Sequence, residues 1–192
     1  MSSGNKRGLL VVVCAPSGSG KTSICKAFMS RNSRSGYSIS LTTRPPRAGE
    51  VDGVDFRFVS TEEFQNAVNN DEFVEYEKVH DSMYGTRKDD IETALSNGNI
   101  LLIDIDVHGG MAIKNEYPDD TITIFIKPPS IEELKRRLQA RGTESEEKII
   151  KRLERYEYEL LKSKDFDIII KNEDFDVAVS DFENSINNKG GS

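Results

Sequence analysis

Cysteine and histidine are scarce in this sequence, with two of each among 192 residues. The two cysteines, Cys14 and Cys25, are too few for a disulfide framework, and no Cys/His spacing suggests a zinc site. Cys14 ends an apolar run and Cys25 lies in a helical pattern. We therefore expect two buried thiols with no redox or metal role.

Long hydrophobic runs and an excess of basic residues are also missing. The apolar run LLVVVC is about six residues long, which is too short for a signal-peptide core or a membrane span. The formal net charge is −7, and general binding to nucleic acid or anionic membranes needs a broad basic surface. We therefore expect a cytoplasmic protein with no nucleic-acid or membrane partner, in which a local site holds any anionic ligand.

The apolar residues that are present form short blocks rich in Val and Ile. These blocks predict buried strands at residues 9–14, 100–105, 121–126 and 166–170. Helical patterns between and after them predict helices at residues 21–31, 89–97, 131–140, 145–162 and 174–186. The alternation predicts an α/β fold, with a parallel sheet flanked by helices.

The stretch from about residue 37 to 84 has a different pattern. It contains the short alternating segments YSISL, DFRFV and EFVEYEKV, separated by turn residues. One short helix is predicted after Ser60, which stands in capping-box spacing with Glu63. We interpret the stretch as a small mixed α/β insertion that is partly antiparallel.

A glycine-rich segment, APSGSGKT, follows the first predicted strand and opens the first predicted helix. This is the P-loop pattern, except that Ala15 replaces its first glycine. Gly18 and Gly20 allow successive backbone N–H groups to face one anion, and the helix N-terminus adds a partial positive charge. Lys21 can then reach the β- and γ-phosphates of a nucleotide, and the Thr22 hydroxyl can bind Mg²⁺. The context of strand, loop and helix predicts an α/β protein of the P-loop NTPase type.

Two acidic residues, Asp104 and Asp106, follow the second predicted core strand. The end of a parallel strand beside a P-loop is where a carboxylate that organises Mg²⁺ is expected. We therefore expect Thr22 to bind the metal directly, and Asp104 to bind it directly or through a water molecule.

Arg44 and Arg47 lie three residues apart in the segment TTRPPR. Each guanidinium can donate paired hydrogen bonds to a phosphate. Pro45 and Pro46 restrict the backbone between them, so less entropy is lost when an anion binds.

The sequence from Ser40 to Val59 resembles the guanylate kinase family. So do the blocks YGT at residues 84–86, DIDVHG at 104–109, PPS at 128–130 and RLQARGTE at 137–144. The blocks keep the order and spacing of the family from the P-loop to Asn172, so the resemblance covers nearly the whole chain.

The resemblance implies phosphoryl transfer from ATP to GMP with Mg²⁺, by a monomer or homodimer. It divides the chain into a P-loop core at residues 1–36, 87–129 and 163–192, a GMP-binding insertion at 37–86 and a helical lid at 130–162. The implied ATP-binding residues are Ala15, Pro16, Ser17, Gly18, Ser19, Gly20, Lys21, Thr22, Ser23 and, against adenine, Asn172. The implied GMP-binding residues are Ser40, Arg44, Arg47 and Tyr84 for the phosphate, Glu75, Thr86 and Asp106 for guanine, and the neighbouring Gly85 and Asp104. The implied catalytic residues are Lys21, Arg44 and the lid arginines Arg137, Arg141 and Arg152.

Guanine recognition by carboxylates makes chemical sense. Guanine presents its N1–H and 2-amino group as donors, whereas adenine presents an unprotonated N1. A buried carboxylate left facing that lone pair can give a discrimination of about 10⁴-fold.

Two further positions depart from the family pattern. Phe56 occupies a position that is Tyr in many relatives, where the hydroxyl helps to hold the GMP phosphate. His108 stands where the family usually has Gln, and we assign it no role.

Two other functions are also compatible with the sequence. A guanylate-kinase-like scaffold module would bind phosphopeptides without catalysis, although Lys21, Thr22 and Asp104 are all retained here. A different P-loop phosphotransferase would act on another acceptor, against which Glu75 and Asp106 argue.

Overall fold

A computed structural model describes residues 7–140 and 145–190 of the chain. The strands are β1 (Leu9–Cys14), β2 (Ser35–Tyr37), β3 (Leu41–Thr42), β4 (Arg57–Phe58), β5 (Phe73–Val79), β6 (Ser82–Arg87), β7 (Ile100–Asp104), β8 (Thr121–Lys127) and β9 (Ile168–Lys171). The helices are α1 (Lys21–Arg31), α2 (Thr61–Asn69), α3 (Lys88–Ser96), α4 (Val107–Glu116), α5 (Ile131–Ala140), α6 (Glu146–Lys162) and α7 (Phe175–Gly190), with a short 3₁₀ turn at Ser163–Asp165.

The central sheet has five parallel strands in the order β2-β7-β1-β8-β9. The strands predicted from the four apolar blocks are all in it, so the predicted parallel α/β core is confirmed. Val13 of β1 pairs with Asp104 of β7. The glycine-rich loop and the aspartates therefore leave neighbouring strands at the same edge of the sheet.

Alternate residues of β1 pack against helices on opposite faces of the sheet. Val11 and Val13 belong to a buried cluster with residues of α1 and α7, in which the rings of Phe28 and Phe182 meet edge to face at 5.4 Å. Val12 belongs to a second cluster, with residues of α3 and α4. A strand that is buried on both faces needs apolar side chains at every position, which explains the apolar sequence LLVVVC of β1.

Both thiols are buried, as predicted. Burial raises the pKa of Cys25 to about 11. Cys14 donates a hydrogen bond to the Asp106 carbonyl oxygen over 3.2 Å. A thiol with a raised pKa forms little thiolate at neutral pH, so Cys25 is a packing residue rather than a nucleophile.

The second sheet is smaller and has the order β4-β3-β6-β5. β3 pairs with β4 in parallel, and the other pairings are antiparallel. A small apolar cluster of Leu41, Phe64, Ala67 and Phe73 joins this sheet to α2. The predicted capping box is present, because Glu63 N donates to Ser60 Oγ and Ser60 N donates to Glu63 Oε2. The mixed, partly antiparallel sheet expected from the sequence is confirmed.

Helices α5 and α6 share their own cluster, formed by Leu134, Leu138, Ile149 and Tyr156. Among residues 7–140 and 145–190, no helix is both long and apolar enough to cross a bilayer.

Three features differ from the sequence predictions. β2 forms the edge of the central sheet although the segment SGY has no apolar run. α4 was not predicted, because its two adjacent glycines have low helix propensity. Gly110 is required there by close packing, since a Cβ would lie 2.9 Å from Val12 Cγ1. The last core strand begins at Ile168, because Phe166 instead caps the 3₁₀ turn.

Candidate active site

The loop between β1 and α1 borders a cavity of about 300 Å³, which is lined by residues 15–18 and 20–23. Gly18 and Gly20 have φ angles of 97° and 91°, in the left-handed region that favours glycine. Ala15 is not among the described residues other than glycine with positive φ. Its methyl group is therefore compatible with the loop, and the segment forms an anion cradle at the N-terminus of α1.

Asn172 holds this loop through a hydrogen bond to the loop backbone. Its side chain is buried and its Nδ2 donates to the Ser19 carbonyl oxygen over 2.6 Å. A Cβ on Gly20 would overlap that same amide. The amide predicted to contact adenine thus holds the loop in this structure, and the adenine contact stays a prediction.

A second cavity, of about 310 Å³, lies beside the loop at the ends of β1 and β7. It is lined by Ala15, Pro16, Ser17, Lys21, Asp104, Ile105, Asp106, Arg152, Arg155 and Glu159. Lys21 and Asp104, which both line this cavity, form a direct ion pair. The predicted phosphate-binding lysine and the predicted metal carboxylate are therefore brought together.

Arg44 is held in place on several sides within the second sheet. Its Nη2 donates to Glu50 Oε1 over 2.8 Å, and its Nε donates to Tyr84 Oη over 3.2 Å. The guanidinium also lies 5.4 Å from the centroid of the Phe56 ring. The Arg44 guanidinium lowers the pKa of Glu50, because hydrogen bonds to the carboxylate favour its charged form.

The remaining residues predicted to bind the acceptor phosphate lie on the same segment or on neighbouring strands. Arg47 N donates to Glu50 Oε2 over 2.7 Å, so one carboxylate bridges both arginine positions. The Ser40 carbonyl accepts from Arg57 N over 3.0 Å, and Gly85 pairs with Leu41. The residues predicted to bind the acceptor phosphate therefore lie on β6 and on the segments that flank β3, and we call them the acceptor clamp.

The carboxylates predicted to read guanine come from different elements. Glu75 of β5 pairs with the buried Thr86 of β6. Asp106 is the N-cap of α4, where its Oδ1 accepts from His108 N and Gly109 N. Burial raises the pKa of Glu75, and the nearby Asp106 charge adds to that shift. The two carboxylates therefore lie near the N-terminus of α4, and their contact with guanine stays a prediction.

The lid arginines have different surroundings. Arg152 lines the cavity that holds Lys21 and Asp104. Arg137 Nε donates to Glu133 Oε1 over 2.8 Å and its Nη2 donates to the Asn172 carbonyl oxygen over 3.5 Å. Arg141 lies outside the described residues. The structure thus places Arg152 at the cavity and Arg137 beside Asn172, the residue that holds the P-loop.

Comparison with known proteins agrees with this arrangement. The family model described as guanylate kinase matches residues 7–189. The chain belongs to the guanylate kinase family. It is therefore a nucleoside monophosphate kinase, a phosphotransferase that acts on nucleotides.

Individual relatives of the guanylate kinase family match over most of their length. Guanylate kinase from Caldanaerobacter subterraneus subsp. tengcongensis is 45% identical over 174 residues, 91% of this chain and 84% of that protein. Guanylate kinase from Clostridioides difficile is 42% identical over 184 residues, 96% of this chain and 89% of that protein. The crystal structure of guanylate kinase from Anaplasma phagocytophilum superimposes with a TM-score of 0.77 at 27% identity, covering 97% of this chain and 88% of that chain.

The donor set at the cavities suits Mg²⁺, as expected for this family. Thr22 lines the P-loop cavity and Asp104 lines the adjoining one. A hydroxyl and a single carboxylate are hard oxygen ligands, and Mg²⁺ commonly takes few protein ligands and completes its shell with phosphates and water. No cluster of three or more His, Cys, Asp or Glu that could hold a metal occurs in the described part of the chain. Thr22 and Asp104 are the predicted ligands that would hold Mg²⁺ here.

Sequence reasoning missed three residues of α6 that reach the site. Arg155 and Glu159 line the cavity with Lys21, and Tyr158 bonds to His108 Nε2 over 2.7 Å. They lie in a charged helical pattern that looks like a solvated face. The spacing of Arg155 three residues after Arg152, nearly one helical turn, was the only signal available.

Proposed function

We propose that this nucleoside monophosphate kinase transfers the γ-phosphoryl group of ATP to GMP, and also to dGMP, with Mg²⁺, giving ADP and GDP. One observation carries the proposal: P-loop residues 15–17, Lys21, Asp104 and Asp106 line a single cavity. Glu75 lines a neighbouring cavity with Gly109, whose backbone N–H donates to Asp106 Oδ1. The P-loop, Lys21 and Asp104 suit a nucleoside triphosphate, and the carboxylates of Glu75 and Asp106 suit guanine.

On the donor side, the backbone of residues 15–20 binds phosphate oxygens. Lys21 then offsets the charge that develops on the β- and γ-phosphates. Thr22 and Asp104 would hold Mg²⁺, which would offset negative charge on the nucleotide phosphates when bound. The ion pair between Lys21 and Asp104 orients the Lys21 side chain toward the cavity.

On the acceptor side, Arg44 and Arg47 bind the GMP phosphate together with Tyr84 and Ser40. Preorganisation supports this role, because Glu50, Tyr84 and the Phe56 ring hold Arg44 in one place. A side chain that is already ordered loses less entropy when the phosphate binds.

At the base, Glu75 and Asp106 accept hydrogen bonds from the N1–H and 2-amino groups of guanine. Thr86 and Gly85 lie on the strand paired with Glu75 and complete this edge. The raised pKa of Glu75 indicates a desolvated carboxylate, for which a matched donor matters most.

Phosphoryl transfer itself requires alignment and positive charge rather than a general base. We assign the charge at the transferring group to Lys21, Arg137, Arg141 and Arg152. Closure of α5 and α6 over both nucleotides would bring the lid arginines together and exclude water as an acceptor. We further expect a cytoplasmic monomer or homodimer.

The deciding experiment is an assay of ADP release with ATP, Mg²⁺ and a panel of GMP, dGMP, IMP, AMP and UMP. We expect GMP and dGMP to be turned over far faster than AMP or UMP. Strong turnover of AMP would refute the assignment of Glu75 and Asp106. No turnover combined with retained GMP binding would instead indicate a catalytically silent binding module.

A further inference from the structure

Helix α6 contacts the guanine-reading edge at two positions one helical turn apart. Arg155 Nη2 lies 3.8 Å from Asp106 Oδ2, and the Tyr158 hydroxyl lies 2.7 Å from His108 Nε2. Residues three apart share a helix face, so both contacts come from one side of α6. The lid helix is thus attached directly to the N-terminus of α4.

The contact to Asp106 uses the carboxylate oxygen that the helix cap leaves available. Asp106 Oδ1 already accepts from two backbone N–H groups of α4, at 3.0 and 2.9 Å. Oδ2 faces Arg155. The orientation of Arg155 is set in turn by Glu159, which is only 9% exposed and accepts from Arg155 Nε over 2.8 Å.

Three carboxylates converge at this edge. Glu75 and Glu77 are two residues apart on β5, so they project from the same face of the strand. With His108 and Gly109 they line a cavity of about 280 Å³. Partial burial raises the pKa of Glu77, and the adjacent Asp106 raises it further. The charges on Arg155 and His108 act in the opposite direction.

This cluster contains more negative charge than guanine recognition requires. Glu75 and Asp106 are sufficient to accept from guanine, and Glu77 adds a like charge beside Asp106. Like charges at close range repel each other. An arginine fixed against the same carboxylate offsets that repulsion.

We propose that Arg155 is a positioning residue for acceptor recognition: it ties α6 to Asp106 and offsets the charge of Glu77, so that Asp106 faces guanine in one orientation. The inference rests on the proposed GMP activity. It assigns a role in GMP binding to a lid residue that does not itself touch the base.

The test compares the wild type with Arg155→Ala, Glu77→Gln, the double variant Arg155→Ala/Glu77→Gln and Arg155→Lys. Lys151→Ala, an exposed position on the same helix, is the matched control. Calorimetry measures the Kd of GMP without ATP, and steady-state assays measure kcat and both KM values. Circular dichroism melting checks that each variant is folded.

For Arg155→Ala we expect the Kd and KM of GMP to rise about fivefold, as for a partly exposed ion pair. The KM for ATP should stay within about twofold of the wild type. The double variant should recover most of the GMP affinity, because its carboxylate cluster has lost one charge. Arg155→Lys should fall between the wild type and Arg155→Ala.

Several results would overturn the proposal. An unchanged or tighter GMP Kd in Arg155→Ala would show that Arg155 is idle or competes with guanine for Asp106. A lower kcat with an unchanged KM for GMP would place Arg155 at the transferring phosphoryl group. An equal loss in the single and double variants would exclude charge compensation. If the wild type fails to phosphorylate GMP, the proposed function fails separately, and calorimetry of GMP still tests Arg155.

Discussion

The proposed donor and acceptor sites of this protein are built in different ways. The P-loop is mainly backbone, supported by a core strand that is buried on both faces and by the buried amide of Asn172. The proposed acceptor clamp consists of side chains on and beside a small sheet, where Glu50, Tyr84 and Phe56 hold Arg44. A backbone cradle needs consecutive residues, whereas a side-chain clamp needs partners brought from several elements. Damage to the first should affect chemistry, and damage to the second should affect acceptor binding.

The largest effect should come from removing the charge at the donor site. We expect Lys21→Ala to lower kcat by about 10²- to 10³-fold, because a preorganised charge at the reacting group is lost. The KM for GMP should change little. Steady-state kinetics check both values, and Lys26→Ala, an exposed position on the same helix, should behave like the wild type. Equal changes in kcat and KM for GMP would mean that the two sites are not separable.

Removing an arginine of the clamp should raise the KM for GMP rather than lower kcat. We expect Arg44→Ala to raise the KM for GMP by roughly 10- to 100-fold, in line with the loss of one or two charge-assisted hydrogen bonds. A kinetic titration with GMP at saturating ATP measures this effect, with Lys78→Ala on β5 as the exposed control. A fall in kcat of comparable size would show that Arg44 also acts on the transferring phosphoryl group.

Glu75→Gln should weaken the recognition of GMP without lowering the thermal stability of the protein. Burial favours the protonated form of Glu75 in the folded state, since its folded pKa is raised. Between the unfolded and the folded pKa, the folded protein binds more protons, so unfolding becomes easier as pH rises through that window. At pH 7 the neutral glutamine should therefore raise the melting temperature slightly, while the KM for GMP rises about tenfold because a charged acceptor is lost. A lower melting temperature at pH 7, with wild-type stability near pH 4, would contradict this account.

The smallest effect is expected at Phe56. The ring already gives Arg44 a cation–π contact at 5.4 Å, which a tyrosine would keep, so the substitution adds only a hydroxyl. Phe56→Tyr should therefore lower the KM for GMP by only a few-fold. Phe58→Tyr, on the ring 5.8 Å from the same guanidinium, is a suitable comparison. No change in KM would show that the missing hydroxyl is already compensated.

Much of the fold could be predicted because its signals are local. The four apolar blocks, the capping box at Ser60 and the glycine pattern of the P-loop each depend on neighbouring residues. Helix α4 could not be predicted in the same way. Gly110 weakens the helical pattern, and only its close approach to Val12 explains why glycine is required there. The edge strand β2 depends on pairing with β7 rather than on its own composition.

The sequence by itself determined the P-loop, the parallel core and the pair of arginines braced by prolines, because each is a property of contiguous residues. Only the tertiary structure decided which side chains meet. The Asn172 amide donates a hydrogen bond to the Ser19 carbonyl oxygen, and Lys21 forms an ion pair with Asp104. Arg155, on a charged helix, contacts Asp106, which lies more than forty residues away in the sequence. The physical reason is that packing and long-range charge pairing depend on the position of whole elements, which no local pattern specifies.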